Sequence, residues 1–298
     1  AKISTTDDEA FLRHEAQLMA RVCNHDHVIQ FVGIVVRPCP CVVTIFCAGG
    51  SVEDLLVRRP PASSTLSSAV PCSPLGEVGQ PEVLRMALEA ARGILHLHLE
   101  GVIHRDLAAR NLLLDGGRHV RVGDFGFSRV KAAAASKGYT KTDMGPIRWL
   151  APEAMRHKVY SEASDVFSFG VVLFEMFWGR MPWVEFENTL DVAFRVCSGE
   201  RMDVQLPEGE GGEGGESLLA RLLALMQACW HHSVAARPTL PAVIAILERL
   251  QEAERETQGG TPLEGTQQGG TPLEGRRGGR VRAGVSALQE EAEEEVDS

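Results

Sequence analysis

The segment HRDLAARN, residues 104–111, places five hydrogen-bonding side chains within eight positions. A carboxylate in such a segment can accept a proton from a hydroxyl, and carboxylate and amide oxygens are the ligands that hard divalent cations prefer. The same residue types also cap turns without any chemical role. The segment alone therefore leaves catalysis, cation binding and turn capping open. The five polar residues are His104, Arg105, Asp106, Arg110 and Asn111.

Two apolar runs flank this segment and predict the elements that hold it. Residues 82–100 carry apolar side chains at helical spacing, and residues 112–125 are typical of a hairpin with a DGG turn. The start of the chain mixes a helix with β-branched runs, and the rest is mainly helical. We expect an α+β fold with a small β-rich lobe at about 1–47, a large helical lobe at about 51–255 and a cleft between them.

Two segments have the composition of unstructured chain. Residues 59–81 are rich in Pro and Ser and predict a flexible insertion in the large lobe. Residues 256–298 are polar, and the sequence GGTPLEG occurs there twice, at 259–265 and 269–275. Two copies are too few to stack as a repeat fold. We expect a disordered low-complexity tail that could recruit protein partners.

The composition also restricts the class of function. The net charge of −10 argues against nucleic acid as the main partner. No stretch reaches the ~18 uninterrupted apolar residues of a membrane span, so we expect none in this chain. Seven cysteines without paired spacing, and no signal peptide, indicate a cytoplasmic setting or the cytoplasmic part of a longer protein.

Four further motifs follow HRDLAARN in a fixed order. They are DFG at 124–126, APE at 151–153, SDVFSFG at 164–170 and CWHHSVAARP at 229–238. Together the five motifs resemble the eukaryotic protein kinase family over about residues 1–255. The resemblance implies the two-lobed kinase fold, ATP and Mg²⁺ as cofactors, and phosphoryl transfer to a protein hydroxyl.

The resemblance also implies roles for residues of the opening segment. Asp106 would orient the acceptor hydroxyl and accept its proton, with Arg110 beside it in the catalytic set. Asn111 and Asp124 would bind Mg²⁺. A tight loop brings Asp106 and Asn111 together, and the hairpin would return Asp124 beside them. Arg105 would pair with a phosphorylated activation segment.

The nucleotide side is assigned in the same way. Lys2 would grip the α- and β-phosphates, and Glu15 would pair with it, although the separation is shorter than we expect for the family. Thr44 would gate the back of the adenine pocket. Ile45 to Cys47 would form the hinge that binds adenine through backbone groups.

Other residues are assigned regulatory and supporting roles by the resemblance. Tyr139, between DFG and APE, is placed where activation-segment phosphorylation occurs, and Phe125 would pack on the small-lobe helix. Glu153 and Arg237 would form a buried ion pair in the large lobe. Asp165 would brace the segment HRDLAARN, the catalytic loop of the family, from a helix N-terminus.

Two features resemble the tyrosine kinase group. Ala108 stands where serine/threonine kinases usually carry a Lys, and the cation is Arg110 instead. PIRW at 146–149 is similar to the substrate-binding turn of tyrosine kinases, whereas MPW at 181–183 departs from that group. We expect a tyrosine acceptor. A tyrosine-kinase-like serine/threonine or dual-specificity enzyme remains the alternative.

The Gly-rich phosphate loop of the family does not precede Lys2, because only Ala1 stands before it. We therefore expect a fragment of a longer kinase, with weak turnover by this chain alone. The alternative is a non-catalytic scaffold of pseudokinase type.

Overall fold

The computed structural model describes residues 13, 16–35, 41–56, 78–124, 129–130, 147–204 and 217–259. All of them belong to one compact unit, Ala1–Gly260. Most of the Pro/Ser-rich segment and the tail beyond residue 259 lie outside the described residues. Within the described part of the chain, no helix is both long and apolar enough to cross a bilayer.

The small lobe contributes one helix and two strands to the described residues. Helix α1 covers 16–22, and strands β1 (Phe31–Val35) and β2 (Cys41–Thr44) pair antiparallel, with Val35 opposite Cys41. Leu18, Met19 and Val22 of α1 are buried, which agrees with apolar residues at helical spacing.

The segment between α1 and β1 attaches the small lobe to the large lobe through backbone hydrogen bonds. Val122 donates its N–H to the His27 carbonyl at 2.9 Å, and Ile29 donates its N–H to the Val122 carbonyl at 2.9 Å. Gly93 faces the His27 carbonyl so closely that a Cβ there would lie 2.3 Å from its oxygen. This attachment therefore requires glycine at position 93.

The large lobe is built from seven helices of the described chain and two short β-pairs. The helices are α2 (Val52–Leu56), α3 (Gln80–Leu99), α4 (Pro152–His157), α5 (Glu162–Trp178), α6 (Thr189–Ser198), α7 (Leu218–Cys229) and α8 (Leu240–Gly259). Strand β3 (Val102–Ile103) pairs with β6 (Arg129–Val130), and β4 (Leu112–Leu114) pairs with β5 (Val120–Val122). This arrangement is the two-lobed α+β fold that the motifs predicted.

Helix α5 forms the centre of the large lobe. Every residue from Ser164 to Trp178 is buried, and α7 and α3 pack on it. Ser161 caps its N-terminus, because the Ser161 hydroxyl accepts from Ser164 N–H and the Ser164 hydroxyl accepts from Ser161 N–H. Because α5 is buried on all sides, its polar side chains face other segments of the core and not solvent.

The predicted element boundaries differ from the observed ones by a few residues. Helix α3 begins at Gln80, so the predicted insertion, 59–81, overlaps its first turn. Helix α8 continues to Gly259, past the expected domain end at 255.

Candidate active site

Asp165, in the first turn of α5, holds the start of the catalytic loop. Its Oδ2 accepts from His104 N–H at 2.8 Å and from His98 Nε2 at 2.8 Å, and its Oδ1 accepts from Arg105 N–H at 3.0 Å. Asp165 is buried, and the helix N-terminus favours its negative charge. Arg105 has φ +72°, a left-handed conformation that these hydrogen bonds support.

His104 ties the catalytic loop to the strand that leads to Asp124. Its Nε2 donates to the Gly123 carbonyl at 2.9 Å, while its Nδ1 accepts from Asp106 N–H at 3.3 Å. Gly123 in turn donates its N–H to the Asn111 carbonyl at 2.9 Å. The hairpin therefore brings Gly123, the residue before Asp124, against the loop. Asp124 itself has φ +56° and an exposed side chain.

Asp106 is buried among three polar side chains. Arg110 Nη2 donates to its Oδ1 at 2.5 Å, and Asn111 Nδ2 donates to its Oδ2 at 3.1 Å. Burial raises the pKa of the Asp106 carboxyl, with Asp124 adding to the rise, whereas Arg110, His104 and Asn111 oppose it. A carboxyl whose pKa is raised is a stronger base when ionised, which suits proton acceptance.

Asn111 and Asp124 are suited to a hard cation. The amide nitrogen of Asn111 also donates to the Asp106 carbonyl at 2.6 Å, so its side-chain oxygen remains for a metal. The described residues contain no group of three or more His, Cys, Asp or Glu that could enclose a metal. Two oxygen donors fit Mg²⁺, which usually takes one or two protein ligands and completes its shell with phosphate and water.

The predicted hinge, Ile45 to Cys47, follows β2 directly. Ile45 donates its N–H to the Gln30 carbonyl at 3.0 Å, so an adenine contact by Ile45 would use its carbonyl oxygen. Thr44 ends β2 and is half-buried, and Cys47 is buried. Burial raises the pKa of the Cys47 thiol. Gly49 packs so tightly against Leu114 that a Cβ would lie 2.7 Å from the Leu114 Cβ. The chain that follows the predicted hinge is thus held against β4.

Several predicted site residues lie outside the described part of the chain. They are Lys2, Glu15, Phe125 and Tyr139. Arg105 is described, and its guanidinium lies 4.7 Å from the centre of the Tyr160 ring. Sequence reasoning did not anticipate this stacking, because Tyr160 is 55 positions away and follows α4. The predicted roles of these residues in regulation and phosphate binding stay predictions.

Two other residues at the site were missed by sequence reasoning. Glu175 on α5 accepts from Trp149 Nε1 at 2.8 Å and from Ala109 N–H at 2.9 Å, both at Oε2. Arg110 stacks over the Trp149 ring at 4.7 Å. A signal for Glu175 was present, because it is the one charged residue in the apolar run 166–178. Its partner could not be read from that run.

The fold and this loop are those of a protein kinase domain. The sequence model of the family described as protein tyrosine and serine/threonine kinase matches residues 1–247, so the chain belongs to the protein kinase family.

Its curated relatives differ in the hydroxyl that their names state. Serine/threonine-protein kinase STY46 of Arabidopsis thaliana is 33% identical over 252 residues, which cover 84% of this chain and 38% of the relative. Serine/threonine/tyrosine-protein kinase HT1 of the same plant is 31% identical, covering 86% and 58%. The high affinity nerve growth factor receptor of Mus musculus is 30% identical, covering 81% and 29%. The chain thus spans between 29% and 58% of the length of these relatives.

Proposed function

We propose that this chain transfers the γ-phosphate of ATP to a tyrosine hydroxyl of a protein substrate. The observation that carries the proposal is the contact of Asp106 with Arg110 and Asn111. This contact joins a carboxylate, a guanidinium and a side-chain amide within six residues of chain, and these are the groups that the proposed reaction needs. Phosphoryl transfer needs positioning and charge neutralisation rather than covalent participation by the protein.

Each residue of the loop has a part in this reaction. Asp106 orients the acceptor hydroxyl and accepts its proton. Asn111 and Asp124 would hold Mg²⁺, which supplies charge neutralisation on the phosphates when bound. The hinge, Ile45 to Cys47, would bind adenine in front of the Thr44 gate, and Lys2 and Glu15 are proposed for the phosphates.

The tyrosine assignment is supported by Ala108 and Arg110. The methyl side chain of Ala108 is buried, and the cation approaches Asp106 from four residues later. A phenol places its oxygen farther from the backbone than a serine does, so a wider acceptor site is required. Serine/threonine or dual specificity is the competing assignment, because the relatives include both kinds.

The decisive experiment is radiometric phosphotransfer by the chain with Mg-ATP and two acceptors, a random Glu–Tyr copolymer and casein, followed by phosphoamino-acid analysis. We expect phosphotyrosine. Asp106→Asn should lower turnover by ~10²–10⁴-fold, because the proton acceptor is lost while the shape is kept. Near-normal turnover by Asp106→Asn would contradict the assignment of the base.

The other outcomes separate the alternatives. Phosphoserine or phosphothreonine alone would show that the chain has serine/threonine specificity and not tyrosine specificity. Thermal stabilisation by Mg-ATP without any phosphotransfer would indicate a nucleotide-binding scaffold.

For the cellular setting, the free thiols of the described cysteines support a reducing compartment, and we propose the cytoplasm. We propose partner binding for the tail, which deletion of 260–298 in a pull-down would test.

A further inference from the structure

We propose that Glu175 is a positioning residue for the acceptor side of the active site, fastening the catalytic loop to the turn that precedes APE. The inference rests on the proposed phosphotransfer, because it assigns a part in that reaction to a side chain that touches neither substrate nor nucleotide.

One oxygen atom makes the connection. Glu175 Oε2 accepts the N–H of Ala109 at 2.9 Å and the indole Nε1–H of Trp149 at 2.8 Å. Ala109 begins the 3-10 turn Ala109–Asn111, three residues after Asp106. Trp149 ends the 3-10 turn Ile147–Trp149. Two segments 40 positions apart are therefore held at one point on the central helix.

The indole is held on its face as well as on its edge. Arg110 lies 4.7 Å above the Trp149 ring and donates to Asp106 Oδ1 at 2.5 Å. Glu175 orients the indole, and the indole is the surface on which Arg110 stacks. Arg110 in turn aims the carboxylate that receives the acceptor proton. Small errors at the end of such a chain of contacts are costly, since misplacement by about 1 Å can reduce a rate ~10²-fold.

Burying a carboxylate at this position costs folding free energy. Glu175 is 1% exposed, and its Oε1 has no hydrogen-bond partner among the described residues. Burial raises the pKa of Glu175 to about 7, with Glu53 adding to the rise, whereas Trp149, Ala109 and Arg110 lower it. An apolar residue would avoid this cost, because the rest of the helix centre is apolar. An apolar residue could not, however, accept the two hydrogen bonds from Ala109 and Trp149.

The test compares two replacements at 175 with a control that only weakens the core. Glu175→Leu removes the acceptor at similar volume, and Glu175→Gln keeps an oxygen that can accept both donors. Leu247→Ala empties a fully buried site on α8, a helix that packs mainly on α3. For each variant, kcat and KM are measured separately for ATP and for the Glu–Tyr copolymer.

We expect Glu175→Leu to lower kcat/KM for the acceptor by ~10–100-fold, with KM for ATP within about twofold of the parent. Glu175→Gln should recover most of this loss. Leu247→Ala should lower the melting temperature without changing the ratio of the two KM values. If Glu175→Leu behaves like Leu247→Ala, or if Glu175→Gln loses as much as Glu175→Leu, the inference is wrong.

A second variant covers failure of Glu175→Leu to fold. Trp149→Phe removes only the indole donor, and it should reduce acceptor kcat/KM while leaving KM for ATP unchanged. An unchanged acceptor kcat/KM in Trp149→Phe would also overturn the inference.

A spectroscopic readout keeps the test independent of the proposed function. Hydrogen exchange of the Trp149 indole N–H, followed by NMR with Trp149→Phe for assignment, should be slow in the parent and in Glu175→Gln. It should be at least tenfold faster in Glu175→Leu. If the parent transfers no phosphate, the proposed function fails, but this exchange still decides whether Glu175 holds the indole. Equal exchange in all variants overturns the inference.

Discussion

The catalytic loop and the small-lobe strands are held in place by different means. The backbone N–H groups of His104, Arg105 and Ala109 all donate to carboxylates of one buried helix. The segment around His27, which leads into β1, pairs with the large lobe through backbone hydrogen bonds with Val122 and lies against Gly93. Buried side chains thus specify the catalytic loop, whereas close backbone approach specifies the lobe junction. Substitutions should act very differently in the two regions.

The largest effect is expected at Asp165. Asp165→Ala leaves His98 Nε2 and two backbone N–H groups of the loop buried without their acceptor. Breaking such a buried polar cluster should cost about 3–5 kcal/mol of unfolding free energy. Urea denaturation followed by circular dichroism measures it. Asp191→Ala, an exposed acidic residue in the first turn of α6, is the control and should cost below about 1 kcal/mol. Similar losses in both variants would contradict this account of the loop.

The next effect is a pH dependence that comes from Glu175. Its pKa is raised from 4.5 in the unfolded chain to about 7 in the folded chain. The folded state therefore binds the proton more tightly, and the stability that this proton supplies is full below pH 4.5. It is lost as pH rises from 4.5 to about 7, by about 3 kcal/mol.

Comparison with Glu175→Gln isolates this contribution. The neutral amide cannot titrate, so the difference in unfolding free energy between Glu175→Gln and the parent should move in favour of Glu175→Gln as pH rises through this window. Urea denaturation at several pH values between 4.5 and 8 measures it. A pH-independent difference would show that the Glu175 carboxyl does not hold its proton in the folded state.

At the lobe junction, Gly93→Ala should cost about 1–3 kcal/mol. The new Cβ would lie 2.3 Å from the His27 carbonyl oxygen and 2.8 Å from Val122 Cγ2, so the junction must open. Gly33→Ala on β1 is the matched control, because its Cβ would meet nothing within 4 Å. Thermal unfolding of both variants tests the comparison, and equal melting temperatures would mean that the two lobes are not joined there.

The smallest effect is expected on the exposed face of β1. Val32 is 64% exposed, so Val32→Thr should change the unfolding free energy by no more than about 0.5 kcal/mol. Leu114→Ala, on the buried strand β4, should cost about 2–5 kcal/mol. Denaturant midpoints measure both. A large loss at Val32 would indicate that this face is covered in solution.

The sequence predicted those parts of the molecule that depend on local pattern. Apolar spacing placed α3 to within about two residues at each end, and the DGG turn placed the β4–β5 hairpin. The ion pair of Glu153 with Arg237 is confirmed, with Nη1 to Oε1 at 2.6 Å and Nη2 to Oε2 at 2.9 Å. That prediction came from the motif order, because no periodicity links residues 84 positions apart.

The contacts that were missed depend on tertiary packing. His98 was counted only as part of an amphipathic helix, yet it shares Asp165 with the catalytic loop. The indole of Trp149 and the carboxylate of Glu175 meet across 26 positions, and Arg105 meets Tyr160 across 55. Hydrophobic pattern tells which face of a helix is buried, but not which donor arrives at a polar atom within that face.

The positions of Asp165 and Glu175 on α5 have a consequence for the length of that helix. Asp165 and Glu175 are ten residues apart on one rod, about 15 Å along its axis. Adding or removing a single residue between them would rotate one carboxylate by about 100° about the axis relative to the other. The two carboxylates would then no longer both reach their donors on the catalytic loop. Helix α5 thus sets the spacing of the two points at which the loop is attached. We expect it to tolerate substitution of its apolar residues but no insertion or deletion between Asp165 and Glu175.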